Sequence, residues 1–433
     1  MEQRYLLHRL ILSQCSGFFE AGTSQEWSRS QGPGQVPSHE LARIDEGGVA
    51  VQASSRPGSA SSNGEGKMRW HYELDGGTDE DVPMLVQKTA STTLFGGDNP
   101  SRPPPIRNKP PASHASFFRS MANLSALHVS TSQGPSESEN DTVRDYDNLF
   151  RTFYNYPPTL DATNIANAYV QCKSLLNLAD MYDALEVVGP RVDHHLLQFQ
   201  GRLWKQIAKY PPSYLKIGYL ARSKVIFSEA LVHVVGQWPA GLNQIRSQLP
   251  DTVLEVIEDK VEEIEDMKAK IEGRLFRLTL ATARGERVTP SNSYLAWTAV
   301  SLFRQWLAEN TTPPPTPNHK DSPRPGDPRV HPPLPPTPPP INTGRIYRLL
   351  GHGGSSYLAR DELKRFLKLR PDEYNRDTVK KFEQRMDELK SKAREIVKPL
   401  MRHCLELDLG RDGGSLGYLT CTRVEERDFP WEY

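Results

Sequence analysis

The spacing of apolar residues predicts two long amphipathic helices in the second half of the chain. Residues 251–280 form the first, and residues 379–400 belong to the second. In both, apolar side chains recur at steps of three and four residues, which places them on one face of an α-helix. The first stripe, with one polar position, comprises Leu254, Ile257, Val261, Ile264, Lys268, Ile271, Leu275 and Leu278, and the second comprises Val379, Phe382, Met386, Leu389, Ala393, Ile396 and Leu400.

The helix predicted at 251–280 has two possible roles. The stripe is short, so an isolated coiled coil would be only marginally stable. We therefore expect this helix to pack within its own chain, against helices predicted at 196–240 or 291–307, or against the second stripe. An intermolecular coiled coil is the alternative.

The N-terminal part of the chain carries strand patterns. We predict a short strand at Arg4–Leu7, followed by a helix. Between residues 68 and 88, Trp70, Tyr72 and Leu74 alternate with polar neighbours, which is typical of a strand with one buried face. A second strand-like run follows an acidic, Gly-rich turn. We therefore expect a pair of strands in this segment.

Low-complexity segments divide the chain. Residues 28–66 and 96–143 are rich in Gly, Ser and Pro, which predicts disordered insertions. Residues 310–340 are dominated by proline, which is typical of an extended linker. The predicted organisation is an interrupted N-terminal domain at 1–195, a helical region at 196–309 containing helix 251–280, the linker at 310–340 and a helical C-terminal region at 341–433.

Composition narrows the classes of partner and location. Lys+Arg and Asp+Glu both number 53, so the formal net charge is zero and gives no general attraction to nucleic acid or anionic lipid. The chain lacks the run of about 18 apolar residues that a membrane span requires. Its four cysteines form no C-x-x-C pair. We expect a cytoplasmic or nuclear protein that is not secreted and does not bind membranes, nucleic acid or a metal.

Two motifs raise the question of catalysis. Gly413–Gly417 reads GGSLG and formally matches the G-x-S-x-G nucleophile elbow, with Ser415 as the nucleophile. No histidine follows Ser415 to complete a triad, so a Gly-rich turn is favoured and a hydrolase is the alternative. His194 and His195 are adjacent, and adjacent residues on a helix point about 100° apart, which does not favour a shared metal. We predict a non-enzymatic protein without catalytic residues or cofactors.

The Pro-rich segment contains a candidate binding motif. Arg329, Pro332 and Pro335 fit the basic-x-x-Pro-x-x-Pro pattern of a ligand for SH3 domains. A polyproline II segment is already extended, so docking would cost little conformational entropy. An SH3-containing protein is therefore one candidate partner. A stiff spacer is the other interpretation of the same residues.

Two separated segments carry a resemblance to a known family. The first, LHRLILSQCSGFF, has a histidine, a helical hairpin and a Ser-x-x-Phe end, and the second leads through a Tyr-containing turn to an Ala-Asp pair. In type and order these residues resemble the BTB/POZ domain of fungal proteins. The resemblance implies an α+β BTB/POZ-like fold followed by mostly α-helical regions. The matching core and motif residues are His8, Leu12, Ser16, Phe19, Phe150, Tyr154, Tyr169, Ala179 and Asp180.

The resemblance also implies a function. BTB/POZ proteins bind other proteins, so we expect an adaptor or scaffold, and the role most often implied is that of a substrate adaptor of a cullin-type ubiquitin ligase. A nuclear, transcription-associated regulator is the alternative. The family's first strand should precede Tyr5, where only four residues stand. The resemblance therefore predicts a domain without that strand and leaves homo-oligomer formation open.

Overall fold

The computed structural model describes residues 3–24, 70–75, 83–88, 135–311, 343–371, 374–408, 410 and 416–431. In these ranges the chain is mostly helical, with one two-stranded sheet. The helix-rich fold with a small β component is as predicted, whereas the finer BTB/POZ assignment stays a prediction. Among the helices of these ranges, none has the length and apolar character that a bilayer crossing requires.

The chain divides into two compact units, which are described separately below. The first contains Met1–Asp161 and Tyr169–Arg191, and the second contains Ala162–Ala168 and Val192–Tyr433. The predicted helical regions 196–309 and 341–433 therefore belong to one unit.

The first unit combines short helices with the strand pair. β1 and β2 run antiparallel, with His71 opposite Lys88 and Asp75 opposite Met84. Met84 and Val86 of β2 are buried. The elements are α1 (Arg9–Cys15), α2 (Gly17–Gly22), β1 (His71–Asp75), β2 (Met84–Lys88), α3 (Pro135–Phe153), the part of α4 (Ile165–Met181) from Tyr169 onward, and the part of α5 (Leu185–Leu197) up to Arg191.

Three predictions for this unit need correction. Arg4–Leu7 is not a strand, because within the described residues the sheet contains only β1 and β2. Leu74, predicted on the buried face of its strand, is 42% exposed, and β2 supplies the buried positions instead. The insertion predicted at 96–143 ends earlier, since α3 begins at Pro135. The insertion at 28–66 lies outside the described residues.

The second unit is a set of packed helices. Its central helix, α8, is buried over nearly all of its residues from Ile226 to Val235, which is typical of a helix surrounded by others. It contacts α6, α7 and α10. The helices that lie wholly in this unit are α6 (Gly201–Lys209), α7 (Pro211–Leu220), α8 (Lys224–Gly236), α9 (Leu242–Gln248), α10 (Asp251–Arg277), α11 (Tyr294–Thr311), α12 (Thr343–His352), α13 (Arg360–Leu367) and α14 (Arg376–Val397).

The two predicted amphipathic helices pack inside this unit. α10 contacts α8, α9 and α14, and α14 contacts α11 and α12, so the expected packing within the chain is confirmed. The stripe on α14 is buried nearly as predicted. The stripe on α10 is buried at Ile257, Ile264, Ile271, Leu275 and Leu278, as predicted. In its first turns, however, Val253 and Lys260 are buried, whereas Leu254 and Val261 are only half-buried. A charged residue therefore occupies a core position of α10.

The C-terminal region is helical only in part. After a 3₁₀ turn at Lys398–Met401, residues 402–408 and 416–431 are irregular except for a second 3₁₀ turn at Glu426–Asp428. Of the helical C-terminal region predicted at 341–433, the described part is mostly helical up to Met401 and irregular beyond it, apart from that turn. The linker residues from 312 to 340 lie outside the described residues.

Buried polar groups of α8 hold the irregular segment. The carboxylate of Glu229 accepts hydrogen bonds from the backbone N–H groups of Glu406 (2.7 Å) and Leu407 (3.1 Å). His233, one turn further on, lies with its Nδ1 2.7 Å from the hydroxyl of Tyr418. Glu229 and His233 are almost completely inaccessible to solvent. Because buried polar groups need partners, residues 402–408 and 416–421 complete the core and do not merely cover it.

Two helical glycines allow the irregular segment to approach closely. A Cβ atom on Gly236 would lie 2.5 Å from the carbonyl oxygen of Leu419 and 2.5 Å from the ring of Tyr418. A Cβ atom on Gly344 would lie 2.7 Å from the carbonyl oxygen of Gly417. The backbone at 417–419 therefore passes between α8 and α12 at a distance that only glycine permits.

We predict that Gly236→Ala destabilises the protein by about 1–3 kcal/mol, since either the backbone of Leu419 or α8 must shift. Gly273→Ala on α10 is the matched control, because its Cβ would meet only the flexible end of Arg277 at 3.3 Å. The control should gain up to about 1 kcal/mol in helix propensity. Urea denaturation followed by circular dichroism measures both, and equal stability of the two variants would contradict the close approach.

Candidate interaction surface of the first unit

Ser16 joins the N-terminal helices to the turn between α4 and α5. Its hydroxyl donates to the carbonyl oxygen of Tyr182 at 2.5 Å and accepts from the N–H of Phe19 at 3.3 Å, so it caps α2. The N–H of Gly17 donates to the carbonyl oxygen of Asp183 at 3.2 Å. Ser16 is almost fully buried. The two segments that carry the family resemblance are therefore joined at this residue.

Tyr182 is the centre of an aromatic cluster. Its ring meets Phe18 edge-on at 4.9 Å and stacks on Phe19 at 5.6 Å between ring centroids. Its hydroxyl accepts from the N–H of Leu85 at 2.8 Å and lies 2.9 Å from the hydroxyl of Tyr146. Burial raises the pKa of Tyr182 to about 12, so the phenol stays neutral at physiological pH. This one side chain thus connects the helical hairpin, β2 and α3.

His8 has a structural contact to Tyr154. Its Nδ1 lies 2.9 Å from the Tyr154 hydroxyl, and its backbone N–H donates to the same oxygen at 2.6 Å. These bonds fix the residue that precedes α1. Arg9, the first residue of α1, lies over the ring of Trp70 at 4.8 Å. The start of α1 is therefore held at two consecutive residues.

The other residues named from the resemblance are spread through the unit. Leu12 and Phe150 are buried, and the ring of Phe150 meets that of Tyr5 at 5.1 Å. Ala179 is fully buried on α4, and Asp180 accepts the N–H of Asp183 through its backbone carbonyl. Tyr169 is half-buried on α4. These residues build a core and do not converge on one reactive point.

The outer side of the N-terminal segment is apolar and exposed. Leu6 is 95% exposed, Leu10 is 68% exposed, and Tyr5 is 38% exposed. We call these three residues the leucine surface. Apolar side chains of this size gain about 1.5–3 kcal/mol each when they leave water. The sequence pattern did not identify them, because Leu6 precedes α1 and Leu10 lies in its first turn, where the spacing of apolar residues does not show which side chains face water.

Several candidate residues have no bearing on this surface. The SH3-ligand residues Arg329, Pro332 and Pro335 lie outside the described residues, as does Ser415 of the GGSLG segment. His194 lies 3.1 Å from the side-chain nitrogen of Gln198, and His195 packs its ring on Phe199. Over the part of the chain that is described, no group of three or more His, Cys, Asp or Glu residues is placed to hold a metal ion.

We predict that Ser16→Ala destabilises the first unit by about 1–3 kcal/mol, because it removes the cap of α2 and leaves a buried carbonyl at Tyr182 unpaired. Hydrogen exchange at the Phe19 amide should accelerate accordingly. Ser13→Ala is the control, since Ser13 bonds only to Leu10 in its own helix and should change stability by less than about 0.5 kcal/mol. If hydrogen exchange at the Phe19 amide is unchanged in Ser16→Ala, Ser16 does not connect α2 to the turn at Tyr182.

Comparisons with protein-family models, with curated proteins and with solved structures gave no match for this chain. The likeness to BTB/POZ domains therefore stays a prediction from the residues named above. What the first unit offers chemically is a packed, largely neutral core and an exposed apolar surface at its N-terminal helix.

Proposed function

We propose that the chain is a protein–protein interaction adaptor whose first unit is a BTB/POZ-like binding module. The observation that carries the proposal is the leucine surface of Tyr5, Leu6 and Leu10. Exposed leucines favour a role in binding, because their exposure to water is unfavourable in the free chain and is relieved in a complex.

The leucine surface lies on a well-held support. Leu12, two residues after Leu10 on α1, is buried, and His8 and Arg9 are fixed by Tyr154 and Trp70. Ser16 then anchors the end of α1 to the turn at Tyr182. A surface that is ordered before binding loses little entropy when the partner arrives, which favours affinity. The support thus suits a docking role better than a loose tail would.

A cullin is the partner class that the family resemblance makes the first to test. In such an adaptor the first unit would bind the ligase scaffold, and the second unit would bind a further protein. The first unit brings residues 4–24 together with residues 144–161 and 169–186, and this supports the assignment. An SH3-containing protein is a separate proposal that rests on Arg329, Pro332 and Pro335 in the sequence.

We predict that the double substitution Leu6→Glu with Leu10→Glu weakens binding of the first unit's partner by roughly tenfold or more, because two apolar side chains no longer leave water on binding. The measurement is binding of the purified full chain to a purified cullin by biolayer interferometry. Leu369→Glu is the matched control, since Leu369 is 77% exposed in the second unit.

Two results would count against this function. If the wild-type chain binds no cullin, the ligase version fails, and quantitative affinity purification then compares the proteins retained by the wild type and by the double variant. If both retain the same proteins in the same amounts while circular dichroism shows equal folding, the leucine surface is not a docking site.

A further inference from the structure

Residues 425–431 form a short, self-contained structure on the second unit. A 3₁₀ turn at Glu426–Asp428 is closed by the side chain of Asp428, which accepts the N–H of Glu425 at 2.6 Å. Backbone hydrogen bonds also run from Asp428 to Glu425 and from Phe429 to Glu426. The segment therefore supplies part of its own backbone pairing, as a folded peptide ligand would.

A buried lysine on α10 receives the acidic end of this segment. The Nζ atom of Lys260 lies 2.9 Å from a carboxylate oxygen of Asp428 and 3.1 Å from Glu263. Burial lowers the pKa of Lys260, but its bonds to Asp428 and Glu263 outweigh that effect and raise the pKa above its ordinary value. A buried ammonium group needs an anionic partner, so this position selects for a carboxylate.

Two aromatic rings, Tyr219 on α7 and Phe227 on α8, contact the other end of the segment, and we call them the aromatic floor. The ring of Trp431 meets Phe227 edge-on at 5.1 Å and Tyr219 at 6.3 Å, and Phe429 lies 6.0 Å from Phe227. Phe429 and Trp431 also stack on each other at 5.3 Å. Aromatic pairs at such distances stabilise a contact beyond the area that they bury. The floor therefore selects for two aromatic residues that follow the carboxylate.

A second lysine links the two recognition elements. Lys224, the first residue of α8, pairs with Glu426 and lies over the ring of Phe429 at 5.3 Å. The docking face, defined as Tyr219, Lys224, Phe227 and Lys260, thus presents two cations beside two aromatic rings. Its complement is a short peptide in which acidic residues precede two aromatic ones. Residues 425–431, with the sequence EERDFPW, have this composition.

The upstream segment is anchored in a different way. Glu229 holds the backbone at Glu406 and Leu407, and Tyr418 contacts His233 in the core. Residues 425–431 are held chiefly through ion pairs and ring contacts of their side chains. A detached segment can reproduce such contacts, whereas it could not replace backbone that is threaded between two helices.

We propose that the docking face is a binding site for acidic-aromatic peptide segments of a partner protein, and that residues 425–431 occupy it as an internal competitor. Tethering gives the internal segment an effective concentration on the order of millimolar. A partner peptide therefore displaces it only if its own concentration, relative to its dissociation constant, is higher. This site lies wholly in the second unit. Its test does not involve Leu6 or Leu10, so either proposal can fail while the other stands.

The test separates the segment from the chain after folding. A protease site inserted between Arg423 and Val424 is cleaved in the purified full chain, and gel filtration removes the released fragment. The probe is a fluorescein-labelled peptide with the sequence of residues 424–431. We expect saturable binding to the cleaved chain, at least a hundredfold tighter than to the uncleaved chain, with light scattering showing a monomer in both.

Variants identify the chemistry of recognition. Peptides carrying Asp428→Asn or Trp431→Ala should bind at least tenfold more weakly, and they require no change in the folded chain. On the chain side, Lys260→Met should weaken the peptide at least tenfold, whereas Lys270→Met, an exposed position on the same helix, should leave its binding unchanged.

Four outcomes would overturn the proposal. Unfolding of the cleaved chain, measured by circular dichroism, would make the segment an integral part of the core. Absence of peptide binding to the folded, cleaved chain, or equally tight binding of a scrambled peptide of the same composition, would also contradict it. Finally, light scattering could detect a dimer in which two copies exchange the segment. The natural occupant of the docking face would then be a second copy of this chain and not a partner protein.

Discussion

The packing of the second unit depends on the buried carboxylate of Glu229. It lies on α8, whose other core-facing side chains are almost all apolar, and its partners are two backbone N–H groups at Glu406 and Leu407. An uncompensated carboxylate in that position would be strongly unfavourable. Since its partners stand 177 and 178 residues away, the central helix and the irregular C-terminal segment must become buried together.

Buried lysines in this unit act in the same way. Lys390 on α14 donates to the carbonyl oxygens of Gly354 and Leu358, at 2.6 and 3.0 Å, and lies over the ring of Tyr357. Lys260 on α10 pairs with Asp428. In each case a charge on a regular helix fixes a stretch of irregular backbone. The helices supply apolar area, and the buried charges determine which loop conformation accompanies them.

In the first unit, neutral groups rather than charges connect segments that are far apart in sequence. Ser16 and Tyr182 connect elements that are far apart in sequence through hydroxyl hydrogen bonds and ring contacts. This core positions α1 and leaves Leu6 and Leu10 facing water. The chain thus offers an exposed apolar surface in one unit and, in the other, a face already occupied by an acidic-aromatic segment. Both features are consistent with the proposed adaptor function, in which one partner docks on the exposed surface and another competes with the bound segment.

The sequence by itself determined the elements whose pattern is local. The stripe of α14 and the strand pair at 71–75 and 84–88 follow from apolar spacing, because helix and strand periods depend only on neighbouring residues. The stripe of α10 was predicted correctly over most of its length, but the pattern favours Leu254 and Val261, whereas Lys260 is buried instead of Val261. Only the tertiary structure decided this, because a charged side chain is buried only when a partner such as Asp428 arrives from a distant part of the chain. The buried position of Glu229 was not predicted for the same reason, because a local sequence pattern contains no information about a partner so far away in the chain.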